Sequence, residues 1–95
     1  MRILAIENQN AEADCPDATP FLREEARRVW ELYREGHIRE IWFTATDRRA
    51  VVLLECATER EAMALLATLP LVRERCITFE VWPLKPYSGF ERLFG

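Results

Sequence analysis

The sequence predicts an α+β domain of the ferredoxin-like βαββαβ type: a four-stranded antiparallel sheet with two helices on one face. Three observations predict it. Strand-like and helix-like apolar patterns alternate in that order along 95 residues. The two middle strand-like runs are joined by a short polar turn, and each helical run carries its own start and stop signals.

"RILAIEN" is a short apolar run with polar bounds, a strand from Arg2 to about Glu7. "NQNAEADCPDATP" carries Asn, Asp and Pro without periodicity and reads as a loop. Thr19 and Pro20 suit the N-cap and first position of a helix running to about Glu35, closed by Gly36 in the left-handed conformation. "HIREIWFTAT" and "RAVVLLEC" flank "DRR" and predict a hairpin. In "TEREAMALLATLP", Thr58 and Glu61 have capping-box spacing, and the second helix should run to about Thr68, stopped by Pro70. After a polar link, "CITFEVWPL" alternates Ile77, Phe79 and Val81 against Thr78, Glu80 and Trp82, the period of a half-buried strand. In the second strand the same alternation groups Trp42 with Ile38 and Glu40. An apolar open sheet face would need covering by a partner subunit or a ligand.

The chain is long enough for one core, so a single domain over residues 1–95 is expected. Its net charge of −3 offers no general field for a phosphate backbone. "RAVVLLEC" also lacks the aromatics and glycine with which ferredoxin-like RNA-binding domains stack bases, so nucleic acid is not an expected partner. No apolar run approaches the roughly 20 residues of a membrane helix, and "MRILAIENQN" turns polar too early for a signal peptide. No membrane association and a cytoplasmic location are expected.

Cys15, Cys56 and Cys76 are odd in number and widely spaced, suggesting neither a disulfide framework nor a zinc knuckle. Cys56 and Cys76 read as small buried apolar groups, and Cys15 has no evident activating neighbour. Clustered metal ligands are lacking, and the single histidine, His37, follows Gly36 at a strand end, which argues against a His–Asp catalytic pair. No metal or cofactor is expected.

One residue interrupts the pattern. In "FLREEARRVWELYREG", Leu22, Ala26, Val29 and Tyr33 share one helix face, with Phe21 and Leu32 on one flank and Trp30 on the other. Glu25 falls between Leu22 and the Phe21/Leu32 flank. Two readings stand. It snorkels to water or pairs with Arg28 or Arg39, or it is held in a largely apolar pocket where desolvation raises its pKa toward the range useful for proton transfer.

From about Glu24 to Pro86 the chain resembles the muconolactone isomerase family and its relatives. The resemblance is carried by Glu25, by "REG" at Arg34 to Gly36, and by "IREIWF" with Trp42. "LATLPL" from Leu66 to Leu71 and "ITFEVWPL" leading to Pro86 extend it. It implies a protomer that pairs sheet to sheet into a dimeric α+β barrel, sometimes assembled into larger rings. It also implies a pocket for a small anionic butenolide, in which a carboxylate moves a proton between two ring carbons. Glu25 matches the family's helix-one glutamate, and Trp42 would lie near the pocket wall. Two features depart from the pattern: Lys85 stands where the isomerases commonly have a histidine before the proline, and both the stretch before the first helix and the tail "YSGFERLFG" are unlike theirs.

The expected function is therefore that of a small oligomeric protein acting, if as an enzyme, as an intramolecular isomerase that shifts a C=C bond, with Glu25 as acid and base. Arg39 and Lys85 are the basic candidates for holding substrate or stabilising an enolate, with Thr78 and Tyr87 as neutral ones beside Trp42. The alternative is a non-catalytic ligand-binding or assembly module of the same fold. For Tyr87, Phe90, Leu93 and Phe94, in a tail of residues 85–95, docking on a neighbouring subunit is expected.

Overall fold

The computed structural model describes residues 1–8 and 15–95. Four strands, β1 (Arg2–Glu7), β2 (Ile38–Phe43), β3 (Ala50–Glu55) and β4 (Phe79–Pro83), form one sheet in the order β2-β3-β1-β4. All its neighbours are antiparallel. Helices α1 (Leu22–Arg34) and α2 (Glu59–Leu66), with the single turn α3 (Pro70–Arg73), complete the expected architecture. Of the loop after β1, residues 9–14 lie outside the described part.

Local chemistry sets the element ends. Thr19 is not the N-cap expected: Asp17 Oδ1 accepts the Thr19 N–H at 3.0 Å, and Thr19–Phe21 form a 3-10 turn leading into α1, which starts at Leu22. At the other end Gly36 has φ 85°, a conformation that penalises any Cβ. Thr58 Oγ1 accepts the Glu61 N–H at 3.0 Å, and Glu61 Oε2 accepts the Ala57 N–H at 3.0 Å, one residue earlier than an ideal capping box. The expected stop at Pro70 needs correcting. α2 ends at Leu66, and Pro70 opens α3 inside the stretch expected to be a polar link, because a proline's missing N–H costs nothing at a first helical position. The hairpin turn is longer than "DRR". Thr44 N–H donates to the Arg49 carbonyl at 2.8 Å, the Thr44 hydroxyl bonds the Asp47 carboxylate, and Arg48 takes φ 53°.

Ile3, Ala5, Val52, Leu54 and Ile38 form the inner sheet layer and pack with Leu32, Ala62, Leu66 and Leu69 from the helical side. The alternate residues Leu4, Ile6, Val51 and Leu53 therefore lie on the other face, with Trp42 (64% exposed) and Trp82 (51% exposed). The expectation that Ile38 shares a face with Trp42 fails. A register shift lies between Ile38, which pairs with Leu54, and Glu40, which pairs with Leu53. Arg39 is the extra residue of a bulge, so Ile38 turns inward while Glu40 and Trp42 stay on the open face.

Cys15 and Cys76 form a disulfide, which corrects the reading of Cys76 as a buried thiol and Cys15 as a free one. Spacing could not show this: the end of β1 meets the start of β4, where the Asn8 N–H donates to the Thr78 carbonyl at 2.9 Å, and the residues beyond each meet too. Cys56 is a buried free thiol, as expected, and desolvation pushes its pKa up.

Beyond β4 the chain departs. Residues 85–95 include a short 3-10 helix (Gly89–Leu93), and no hydrogen bond or ion pair among the described residues ties them to the body. Tyr87 packs edge-on against Phe90 with ring centroids 4.9 Å apart, yet both remain exposed. The radius of gyration is 15.2 Å, against about 12 Å for a compact chain of this length.

Candidate functional site

A cavity of about 580 Å³ lies between α1 and the inner side of the sheet. Leu22, Ala26 and Val29 of α1, Ile41 and Phe43 of β2, and Val52 of β3 form much of its wall, with Leu69, Leu71, Ile77 and Phe79 along the other side. Its volume is in the range of small-molecule sites. Two polar side chains enter this apolar lining, Glu25 and Glu7.

Glu25 owes its position to the way α1 seats. The most buried residue of the helix is Leu32, while Leu22 and Tyr33 are each 50% exposed. At about 100° per residue the inward direction therefore runs through Leu32, Glu25 and Val29, not through the centre of the apolar stripe. Glu25 is on the inward side of the helix. Neither expected arginine pairs with it: Arg28 Nε donates to Thr68 Oγ1 at 3.0 Å, and its guanidinium lies 3.7 Å from Glu31. Instead Glu25 Oε1 accepts the Leu71 backbone N–H at 2.9 Å. Desolvation raises its pKa above the ordinary glutamate value; the Leu71 bond and Arg73 oppose the rise, and the charge of Glu7 adds to it.

Glu7 is a lining residue beyond those the sequence points to. It ends β1, where its Oε1 accepts the Ala50 N–H at 3.1 Å. A signal existed, since Ile3, Ala5 and Glu7 alternate on one face of the strand.

The other expected residues are dispersed within the protomer. Trp42 borders the cavity, but its indole N–H donates to Glu40 Oε1 at 3.1 Å on the open face. Arg39 lines a separate depression with Tyr33, Arg34, Gly36 and Ile38. Lys85 lines another with Met1, Arg2, Glu55, Leu84 and Pro86. Thr78 is exposed and its hydroxyl accepts from Asn8 Nδ2 at 2.8 Å, while Tyr87 stands on the tail. No group of three or more His, Cys, Asp or Glu side chains among the described residues is placed to hold a metal ion. No helix among them is long and apolar enough to cross a membrane.

An apolar cavity between helix and sheet, entered by a helix-one glutamate, fits the family likeness of the sequence, and the comparisons decide the matter. The sequence model of muconolactone delta-isomerase matches residues 6–89. The chain belongs to the muconolactone delta-isomerase family. A crystal structure of muconolactone isomerase superposes with a TM-score of 0.74 over 93% of this chain and 92% of that one, at 21% identity. That likeness shows a shared fold. No curated protein matches the chain. Within the family's span lie Glu7 and Glu25, whereas Phe90 to Gly95 extend past it.

Proposed function

We propose that the protein is a small homo-oligomeric isomerase in which Glu25 transfers a proton between two carbons of a lactone-like carbonyl compound. The carrying observation is the Glu25 carboxylate in an apolar cavity, held by the Leu71 N–H and with its pKa raised by desolvation. As carboxylate, Glu25 removes a proton from a carbon conjugated to the carbonyl, and the C–H electron pair becomes an enolate. The resulting carboxylic acid returns the proton to another carbon of the conjugated system, and the C=C bond moves. Atoms and charge are restored at the end, so no cofactor enters.

The enolate needs a donor, and Arg39, Thr78, Lys85 and Tyr87 lie outside the cavity of their own protomer. Lys85 and Tyr87 belong to the segment that leaves the body, so in this reading residues 85–95 dock on a neighbouring subunit and can bring them to its site. The partner is a second copy of the chain, joined through the open face of Leu4, Ile6, Val51, Leu53, Trp42 and Trp82. Replacing Leu53 with Lys at the middle of that face should convert the dimer or larger oligomer to monomer in sedimentation velocity. An unchanged assembly would remove this face from the interface.

The second reading, a non-catalytic ligand-binding module, is favoured by one observation: among the described residues, the cavity lining within a protomer offers carboxylates but no uncommitted side-chain donor. Proton exchange separates the two. The protein and Glu25→Gln, incubated with a panel of butenolides in deuterated water, are followed by proton NMR. Enzyme-dependent loss of ring-proton signal in the wild type, absent in the variant, supports the isomerase. Binding without exchange supports the module. We read the protein as cytoplasmic from its sequence.

A further inference from the structure

We propose that Cys15 and Cys76 form a reversible thiol–disulfide clasp on the cavity beside Glu25: the bridged form binds ligand well, and a dithiol that opens the bridge weakens binding. The inference rests on the reading of this cavity as the ligand site and goes beyond it to the regulation of that site.

The bridge lies where two segments of the cavity wall are held together. The Asn8 backbone and side-chain N–H groups bond Thr78, and Cys15 bonds Cys76, so Asn8 and Cys15 are both fixed to the stretch that enters β4. From Cys15 the chain passes through the Asp17–Thr19 bond and the 3-10 turn into Leu22, a wall residue at the start of α1. From Cys76 the next residue is Ile77, also in the wall. A single residue links this end of the bridge to the carboxylate. The Cys76 and Ile77 N–H groups both donate to the Leu71 carbonyl, at 2.7 and 3.1 Å, and the Leu71 N–H is the donor that Glu25 Oε1 accepts.

Just before the bridge, Arg75 takes φ 60°, a left-handed conformation that is strained for a residue with a Cβ. Opening the bridge removes one of the restraints that hold it there. Relaxation at Arg75 would move the two N–H groups that grip Leu71, and with them the donor to Glu25. Neither Cys15 nor Cys76 is buried in the protomer, whereas the free Cys56 is. A thiolate of the dithiol attacks one bridge sulfur, releasing the other and forming a mixed disulfide, and its second thiolate then displaces the remaining protein sulfur. Cys15 and Cys76 end as thiols, having gained two electrons and the two protons the dithiol gives up, and the dithiol ends as its own disulfide. Bridges in cytoplasmic proteins, as this one is read to be, are typically transient or redox-sensing.

The test compares the bridged protein, the protein reduced by dithiothreitol, and Cys15→Ser, which cannot close the bridge. Alkylation in denaturant followed by mass spectrometry counts the thiols: one in the bridged form, Cys56, and three after reduction. The dissociation constant of a carboxymethyl-substituted butenolide is measured on each, with Leu71 and Ile77 amide shifts locating the ligand and circular dichroism reporting the fold. Reduction should shift both amides and weaken binding about tenfold, an ordinary coupling between two sites. Cys15→Ser should match the reduced protein with or without dithiothreitol. Because coupling is reciprocal, saturating butenolide should move the cysteine pair's equilibrium with a dithiol buffer toward the bridge by the same factor. Unchanged affinity and unchanged amides after reduction overturn the inference and leave the ligand site standing. Resistance of the bridge to reduction in the folded protein, or unfolding once it opens, also overturns it, since the bridge would then be a fixed staple. Failure of the butenolide to perturb Leu71 in either form removes the site reading, and the inference with it.

Discussion

Glu25→Gln is expected to lower enzyme-dependent carbon-proton exchange by about 10² to 10⁴-fold, the range for losing a positioned acid–base group, while leaving the fold in place. Glutamine keeps an oxygen for the Leu71 N–H, so the helix seat survives and the loss reports on proton transfer. The sign of the stability change distinguishes this from general damage. Because the folded-state pKa of Glu25 is raised, chiefly by desolvation, the carboxyl favours the fold below the unfolded-state pKa. That contribution is lost as pH climbs through the raised folded-state value. At neutral pH the wild type holds a partly desolvated charge that the variant lacks. Denaturant unfolding at pH 7 should therefore find Glu25→Gln as stable as wild type or more so. The exchange rate of the wild type should rise with pH, with its inflection above the ordinary glutamate value, as the base form appears.

Leu32→Ala should have the largest effect on stability. Leu32 is fully buried and anchors α1 in the cluster that joins Ile3, Ile38 and Leu54 to Ala62 and Leu69. Truncating a buried leucine removes its transfer energy and leaves a cavity, together about 2–5 kcal/mol. For a domain of this size each kcal/mol lowers Tm by about 4–8 °C. Because Leu32 sets the rotation of α1, the surviving folded fraction should also lose the Leu71–Glu25 bond, read as a shift of the Leu71 amide. Trp30→Ala is the contrast. Its ring is 58% exposed and stacks on Tyr33 at 6.0 Å, so little stability should be lost. Equal losses in urea titrations of the two variants would contradict the described seating of α1.

The same helix shows what was legible in the sequence. Its existence, its Gly36 terminus and the acid at position 25 follow from periodicity and capping, and so do the four strands and their antiparallel closure. The direction in which α1 faces does not. Seven apolar positions, Phe21 and six in α1, spread over a wide arc and leave the rotation to tertiary packing, and Leu32 decides it by filling the core. β2 gives a similar lesson, since alternation places Ile38 with Trp42 until the bulge at Arg39 moves them to opposite faces. Pro70 suits both the end of one helix and the start of the next, so its rule alone does not separate a stop from the opening of α3.

At the site, Glu25 was visible as an exception to its surroundings, whereas Glu7 ends a strand in an ordinary polar way and became notable only when β1 was placed beside Ala50. The chemistry of Arg39, Thr78, Lys85 and Tyr87 suits substrate binding, but residue type carries no information on direction. In the protomer they point to other depressions or to solvent. The Cys15–Cys76 bridge depends on chain ends that meet only in the folded sheet.

The most direct measurement is the titration of the Glu25 side-chain carboxyl by carbon-13 NMR in the folded, oligomeric protein, with Glu25→Gln used for assignment. A midpoint above the ordinary glutamate value, falling toward it when Glu7 is replaced by Gln, is the predicted result. A midpoint at or below the ordinary value would mean a solvated or cation-paired carboxylate, and would contradict Glu25 as the desolvated acid and base of this cavity.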